Sequence, residues 1–380
     1  MDTWGRKIRI TIFGESHGPE VGVVIDGLPE GTPIDRALIA RDLARRAPGR
    51  DEFSTARKES DEPILLSGVS EGVSTAEPIH CVIKNENQRS GDYDTALRPG
   101  HADWTGLIKY GPGVSRAGGG RFSGRLTAPL VFAGAVAKSA LAEKGIEVFG
   151  RIKSIGAIRD EIDLSCGRGC RTGGRDGIDE LKAISSKAFP ADDSVEQRFK
   201  DAILAAKADG DSVGGVIEVI SSGNLAGLGE PFFDSVESVL SSLYFSVPAV
   251  KGVEFGAGFG ITKLRGSEAN DPIRIEGGEP YTEADDTIGI KGGKSVTDAD
   301  YSISIEGGRL VTETNNNGGV LGGIANGMPI IARVAIKPTA SIAKEQRTVD
   351  PGKYPPGVTA RGGENPGDEA QGAMKETTIR

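Results

Sequence analysis

Glycine punctuates this chain from one end to the other, in short clusters rather than in a repeat. GESHG spans Gly14–Gly18, RAGGGRFSGR spans Arg116–Arg125, and TNNNGGVLGGIANG spans Thr314–Gly327. The 56 glycines in 380 residues make about 15% of the chain, against a usual ~7%. No Gly-X-Y period runs through them, which excludes a collagen helix. Together with 20 prolines they stay below the roughly 25–30% that marks low-complexity disorder. At 37% hydrophobic residues, the chain can still bury a core. The glycines therefore belong to tight loops of a folded protein, where backbone can approach a ligand closely.

Between these loops, hydrophobic spacing predicts alternating strands and helices. Residues 7–13 alternate charged and β-branched side chains, and Val21–Ile25, Pro63–Gly68 and Pro78–Lys84 read as further strands. Ile34–Arg46 reads as an amphipathic helix begun by Asp35 and ended before Pro48. Leu126–Lys144 has small and apolar residues with little polar face, the pattern of a helix buried in the middle of the molecule. Ile178–Asp209 and Phe232–Phe245 read as helical, and Gly214–Ser221 as a buried strand. Strand and turn signals return at Gly318–Pro338. The acidic stretch from Ser267 to Gly308 reads as a surface insertion, and the tail from Pro351 as too polar to pack. These elements predict one large interwoven α/β domain over residues 1–350, with a polar tail over 351–380.

The formal net charge of −9 disfavours a nucleic-acid or anionic-membrane partner. No apolar run reaches the length of a membrane span and no signal peptide opens the chain, so a cytoplasmic protein is expected. Cys81, Cys166 and Cys170 form an odd set that suits a reducing compartment. No histidine lies near Cys166 and Cys170, so no metal site is expected.

Against this acidic background, cations collect in two glycine-rich places. Arg45, Arg46 and Arg50 surround a Pro-Gly turn, with Arg57 following. Arg98, Arg116, Arg121 and Arg125 flank the glycine triplet. Guanidinium forks and glycine amides are the groups that bind phosphate and carboxylate, so a small polyanionic ligand is expected. His17 follows Ser16 in GESHG, and His101 lies in RPGHADW with Arg98 and Asp103. Loop histidines of this kind are candidates for acid–base work, or else turn residues satisfied by backbone. His80, before Cys81 and Val82, reads as a core or strand histidine. The Thr314–Gly327 loops and IKPTAS, Ile336–Ser341, are suited to a phosphate and a flat ring, or to tight hairpins.

Taken together and in order, these loops resemble the signatures of chorismate synthase of the shikimate pathway. They are GESHG, RRAPG (Arg45–Gly49), RPGHAD (Arg98–Asp103), GGGRFSGRLTAPL (Gly118–Leu130), GDSVGG (Gly210–Gly215), GLGEPFFD (Gly227–Asp234), SVPAVKG (Ser246–Gly252), NNGGVLGGIANG and KPTASI. The resemblance implies an α/β fold with a helical core between β sheets, assembled as a homotetramer. It implies a lyase that eliminates phosphate from 5-enolpyruvylshikimate 3-phosphate with reduced FMN (FMNH2), NADPH being a candidate external reductant. It implies that His17 protonates the leaving phosphate, that His101 serves the reduced flavin, and that Ser16 joins a proton relay. Arg46, Arg98 and Arg125 would clamp the phosphorylated substrate. Arg121, Phe122, Ser123, Ala249, Gly322, Lys337, Pro338, Thr339, Ala340, Ser341 and Arg361 fall at positions that contact FMN.

The chain departs from the family pattern in two places. Glu52 stands where a second arginine is usual, with Arg50 two residues earlier as its candidate substitute. The usual Arg-His-Asp-Pro-Cys ending is absent, and Gly362 and Gly363 follow Arg361. Asp350, Glu364 and Asp368 are candidates to replace its carboxylate beside Ser16. The alternative reading is a flavin- or anion-binding homologue with lost or altered catalysis.

Overall fold

Period-two alternation builds two antiparallel sheets, and each carries its own helices. The structure is a computed structural model that describes residues 2–49, 51–54, 57–86, 96–111, 113–115, 117–162, 175–223, 225–276, 304–305, 308–350 and 375–379. The chain divides into two compact units. Met1–Ala140, Ile203–Ser212 and Thr339–Arg380 form the first, and Leu141–Ala202 with Val213–Pro338 the second.

In the first unit, strands β1 (Arg9–Gly14), β2 (Glu20–Asp26), β3 (Pro63–Ser67) and β4 (Ile79–Lys84) pair antiparallel in the order β1-β2-β4-β3. Val21, Val23 and Ile25 of β2 share one face and are buried with Ile79, Cys81 and Ile83 of β4. Three helices begin in this unit: α1 (Arg36–Arg46), α2 (Asp103–Tyr110) and α3 (Thr127–Ala142). Asp35 opens α1 as expected, its carboxylate accepting from the Leu38 amide at 2.9 Å. Ile39 and Leu43 of α1 and Phe132 and Val136 of α3 fill the core on this sheet. Each such side chain contributes about 1.5–3 kcal/mol by leaving water. Helix α3 is apolar around most of its girth and buries Ala128, Ala133 and Ala135 along with Phe132 and Val136, while Ala137 and Ala142 are exposed.

The end of the polar tail forms a strand, with the side chains of residues 376–379 half-buried or exposed. Strand β10 (Lys375–Ile379) pairs antiparallel with β9 (Gln346–Asp350), because KETTI carries the β-branched residues that a strand edge accepts. Cys166, Cys170, Arg50, Arg116, Arg361, Gly362, Gly363, Glu364 and Asp368 lie outside the described residues.

In the second unit, β5 (Glu147–Ile155), β6 (Gly215–Ser222), β7 (Val250–Phe255) and β8 (Ile330–Ile336) form an antiparallel sheet in the order β7-β8-β6-β5. The helical region predicted over 178–209 is two helices, α4 (Arg175–Ser186) and α5 (Asp193–Ala208). Pro190 interrupts it, and the Asp192 carboxylate restarts it by accepting from the Ser194 amide at 2.9 Å. Leu181 and Ile184 of α4 pack on Ile220 and Phe149, while Val195 and Phe199 of α5 pack on Ile152 and Ile155. Helix α6 (Val236–Tyr244) starts four residues later than predicted, after a separate turn at Phe232–Asp234, with Ser235 as its cap. Across this sheet runs a row of charge that the hydrophobic pattern does not reveal. Glu218 of β6 stands opposite Arg151 of β5 and Arg333 of β8, and all three are nearly inaccessible.

Candidate active site

The loop between β1 and β2 is GESHG, which carries Glu15, Ser16 and His17. Ser16 is fully buried; its amide donates to the Gly120 carbonyl at 3.2 Å, and its Oγ accepts from Arg57 Nη1 at 2.9 Å. Gly118, with φ at +59°, lies directly over Ser16 and His17. A Cβ there would come within 2.5 Å of the His17 ring and 2.9 Å of Ser16 Oγ. The glycine triplet is thus needed both for its left-handed backbone and for the space it leaves. Burial pushes the His17 pKa below its ordinary value and Arg57 pushes it further, with Glu15 opposing.

Behind the loop stand three arginines on two buried carboxylates. Glu59 accepts from Arg57 Nε at 2.6 Å, and Asp61 pairs with both Arg46 and Arg125. Arg125 also donates to Asn85 Oδ1 at 2.7 Å and to the Lys84 carbonyl at 2.9 Å. Asn85 closes the circuit by donating to the carbonyls of Glu15 at 3.0 Å and Gly18 at 2.7 Å. Burial works to raise the Glu59 pKa, but the Glu86 amide, Arg57 and Arg125 outweigh it and hold the carboxyl below its ordinary range. Two of the three predicted substrate arginines, Arg46 and Arg125, are therefore neighbours around Asp61. Arg125 is 5% exposed and engaged on several sides by protein, which makes it a buried tie between loops.

The third, Arg98, is forked onto Asp103 through two bonds of 2.8 Å, in the loop that carries His101. Burial raises the Asp103 pKa, and Arg98, helped by His101, overrides it and lowers the net value. Nε2 of His101 lies 3.2 Å from Ser341 Oγ, so the RPGHAD and KPTAS loops meet through their polar side chains. His80 is in β4 as expected, its ring edge-on to Phe13 at 5.5 Å. Asp350 lies in β9 opposite Lys375.

Comparison with known proteins follows the same lines. The family model described as chorismate synthase matches residues 8–363. The chain belongs to the chorismate synthase family. It is 40% identical to the chorismate synthase of Korarchaeum cryptofilum over 92% of this chain and 86% of that protein. To that of Archaeoglobus fulgidus it is 41% identical, with the same coverage of both chains. A crystal structure of a chorismate synthase superposes with a TM-score of 0.63 at 27% identity, covering 88% of this chain and 84% of that one. The α/β fold expected from the resemblance is the fold observed. The family match also runs past residue 350 into the segment read as a divergent tail.

Chorismate synthases are lyases of the shikimate pathway, and the family requires a reduced flavin. The residues present fit such a group. Arg121 lies over the Tyr110 ring at 4.8 Å with Phe122 beside it, giving a cation and aromatic faces next to the glycine triplet. Gly119 and Gly322 hold positive φ, and a Cβ at either would meet little or nothing, so backbone is open to close approach there. Ala249 keeps a φ of +73°, unusual for a non-glycine residue, and its carbonyl accepts from the Lys337 amide at 2.9 Å. Of the candidate flavin contacts, Arg121, Phe122, Ser123, Thr339, Ala340 and Ser341 belong to the first unit. Ala249, Gly322, Lys337 and Pro338 belong to the second. Ser123 caps the turn that presents Arg125, accepting from its amide at 3.3 Å.

Sequence reasoning placed the histidines and most of the arginines but missed Glu59, Asp61 and Asn85. Asn85 directly follows β4, and Glu59 and Asp61 stand four and two residues before β3, so no local pattern marks the three as a group.

Proposed function

We propose that this chain carries out the 1,4-anti elimination of phosphate from 5-enolpyruvylshikimate 3-phosphate, giving chorismate, with reduced FMN as its flavin. The observation that supports this best is the Ser16–His17 loop, locked beneath the glycine triplet and backed by a buried arginine–carboxylate cluster. In the reaction the ring C–O bond breaks with its electron pair leaving on phosphate. A ring proton is lost from the opposite face to a base that the flavin, when bound, would supply, and the ring gains a second double bond. When bound, reduced flavin supplies electron density to this redistribution and recovers it without net oxidation. Arg46 and Arg98 bind the phosphate and carboxylates, and Arg125 adds its charge from behind. Burial and Arg57 hold His17 toward its neutral form. A phosphate dianion beside it favours the imidazolium, which then donates its proton to the leaving group. His101, oriented by Ser341, serves the flavin side of the site.

We propose NADPH as a candidate external reductant for the flavin, and a cytoplasmic homotetramer as the working assembly. Among the described residues no helix is long and apolar enough to cross a membrane. Phe232, Phe233 and Phe259 are 85%, 93% and 80% exposed, the apolar surface that another copy would cover.

Anaerobic incubation with FMNH2 and the enolpyruvyl substrate tests the reading, with release of phosphate and chorismate expected. Flavin binding without release would instead support the homologue without catalysis. His101→Ala is expected to slow turnover by ~10²-fold or more; unchanged turnover would remove His101 from the mechanism.

A further inference from the structure

We propose that Asp61 is a positioning residue that sets the phosphate-binding fork of Arg46, an inference that rests on the reading of this site as an anion site. Asp61 is 1% exposed and holds φ at +51°, inside the left-handed region that non-glycine residues rarely occupy. Strain of this kind persists where the surroundings over-determine the residue. What over-determines Asp61 is a pair of guanidinium groups. Oδ1 pairs with Arg125 Nη1, and Oδ2 lies 2.8 Å from Arg46 Nε, off the axis of a formal hydrogen bond.

The two arginines depend on Asp61 unequally. Arg125 keeps Asn85 Oδ1, the Lys84 carbonyl and the more distant Glu59 whether or not Asp61 is charged. Among the described residues, Arg46 has beyond Asp61 only a long bond of 3.3 Å from Nη1 to Thr127 Oγ1. Its guanidinium is thus held at Nε by a carboxylate and at Nη1 by a hydroxyl, and neither contact uses Nη2. Burial and the neighbouring Arg125 charge both press against the charged form of Arg46, while Asp61 favours it. Without Asp61, Arg46 faces Arg125 directly, and the side chain with fewer ties moves.

Charge and position make opposite predictions. Removing a carboxylate makes the pocket more positive, which by itself strengthens binding of an anion. Removing the anchor of Arg46 disperses its fork, which weakens bidentate binding. For a side chain buried against a second cation, loss of geometry dominates.

The experiment is calorimetric titration of the full chain with inorganic phosphate, alongside steady-state kinetics. Asp61→Asn is expected to weaken phosphate binding about 10-fold and to raise KM more than it lowers kcat. In an Arg46→Met background the same change should have no further effect. Arg46→Lys keeps the charge but lacks an Nε to be oriented, so it too should lose about 10-fold, and it reads the proposal if Asp61→Asn does not fold. Tighter or unchanged phosphate binding in Asp61→Asn, a full effect in the Arg46→Met background, or wild-type binding by Arg46→Lys would overturn it. So would a wild-type chain that binds no phosphate. A wild-type chain that binds phosphate without turning over the substrate would sink the catalytic reading and leave the Asp61 proposal standing.

Discussion

A single missing Cβ decides how close the two halves of the histidine loop can come to the glycine triplet. Gly118→Ala puts a methyl carbon 2.5 Å from His17 Cδ2 and Nε2, and it forces alanine into φ +59°. The backbone cost is about 1–2 kcal/mol, since left-handed residues other than glycine are disfavoured by roughly that much. The steric cost falls on the imidazole, which must rotate or retreat. A displacement of about 1 Å at a reacting group can cost ~10²-fold in rate. Gly118→Ala should therefore lose on the order of 10²-fold in kcat/KM while unfolding only slightly earlier. Denaturant titration and steady-state kinetics on the same preparation separate the two effects, and a variant equally impaired in both would place the damage in folding instead.

Elements hold this site through their ends rather than their middles, which explains what could be read in advance. Helix α1 was legible because Asp35 caps it and Pro48 stops it, and β2 because Val21, Val23 and Ile25 alternate. The motif loops marked His17, His101 and the arginines, since cations in glycine-rich loops of an acidic chain stand out. Helix α2 was hidden because DWTGLIKY opens inside a loop motif and has no side-chain cap. Glu59, Asp61 and Asn85 were hidden for another reason: their roles exist only once β3 and β4 lie side by side, beyond the reach of any local pattern. Asn85 shows the consequence. It stands just beyond β4 and ties the carbonyls of Glu15 and Gly18 to Arg125. Asn85→Ala strips Arg125 Nε of its partner inside the protein, a loss of about 1–3 kcal/mol for a buried donor. The expected result is a lower unfolding midpoint together with faster hydrogen exchange at Ser16 and His17. Unchanged exchange there would show that the loop does not depend on the tie.

At the scale of the whole molecule, an excess of negative charge outside contrasts with an excess of positive charge buried in the second sheet. Arg151, Lys153 and Arg333 are inaccessible or nearly so, and among the described residues Glu218 and Asp160 are the buried carboxylates beside them. Of the three cations the lysine is the one able to shed its charge. Burial lowers the Lys153 pKa from 10.5 to about 8; Glu218 opposes this and Arg151 adds to it. Between those values the unfolded chain binds more protons than the folded one, so stability rises with pH from about 8 upward. Cys81 works in the opposite direction. Burial raises its thiol from 9.0 to about 12, so the unfolded state gains by ionising above pH 9. The window in which Lys153 dominates is therefore about pH 8 to 9, where the gain is on the order of 1 kcal/mol. Equilibrium unfolding of the wild type should show that rise, and Lys153→Met should abolish it, since methionine fills the space with no proton to lose. Above pH 9 the wild-type gain should level off and continue in Cys81→Ala. A wild type whose stability is flat from pH 7.5 to 9 would mean that Lys153 stays charged in the folded chain across that range, and would overturn the shift.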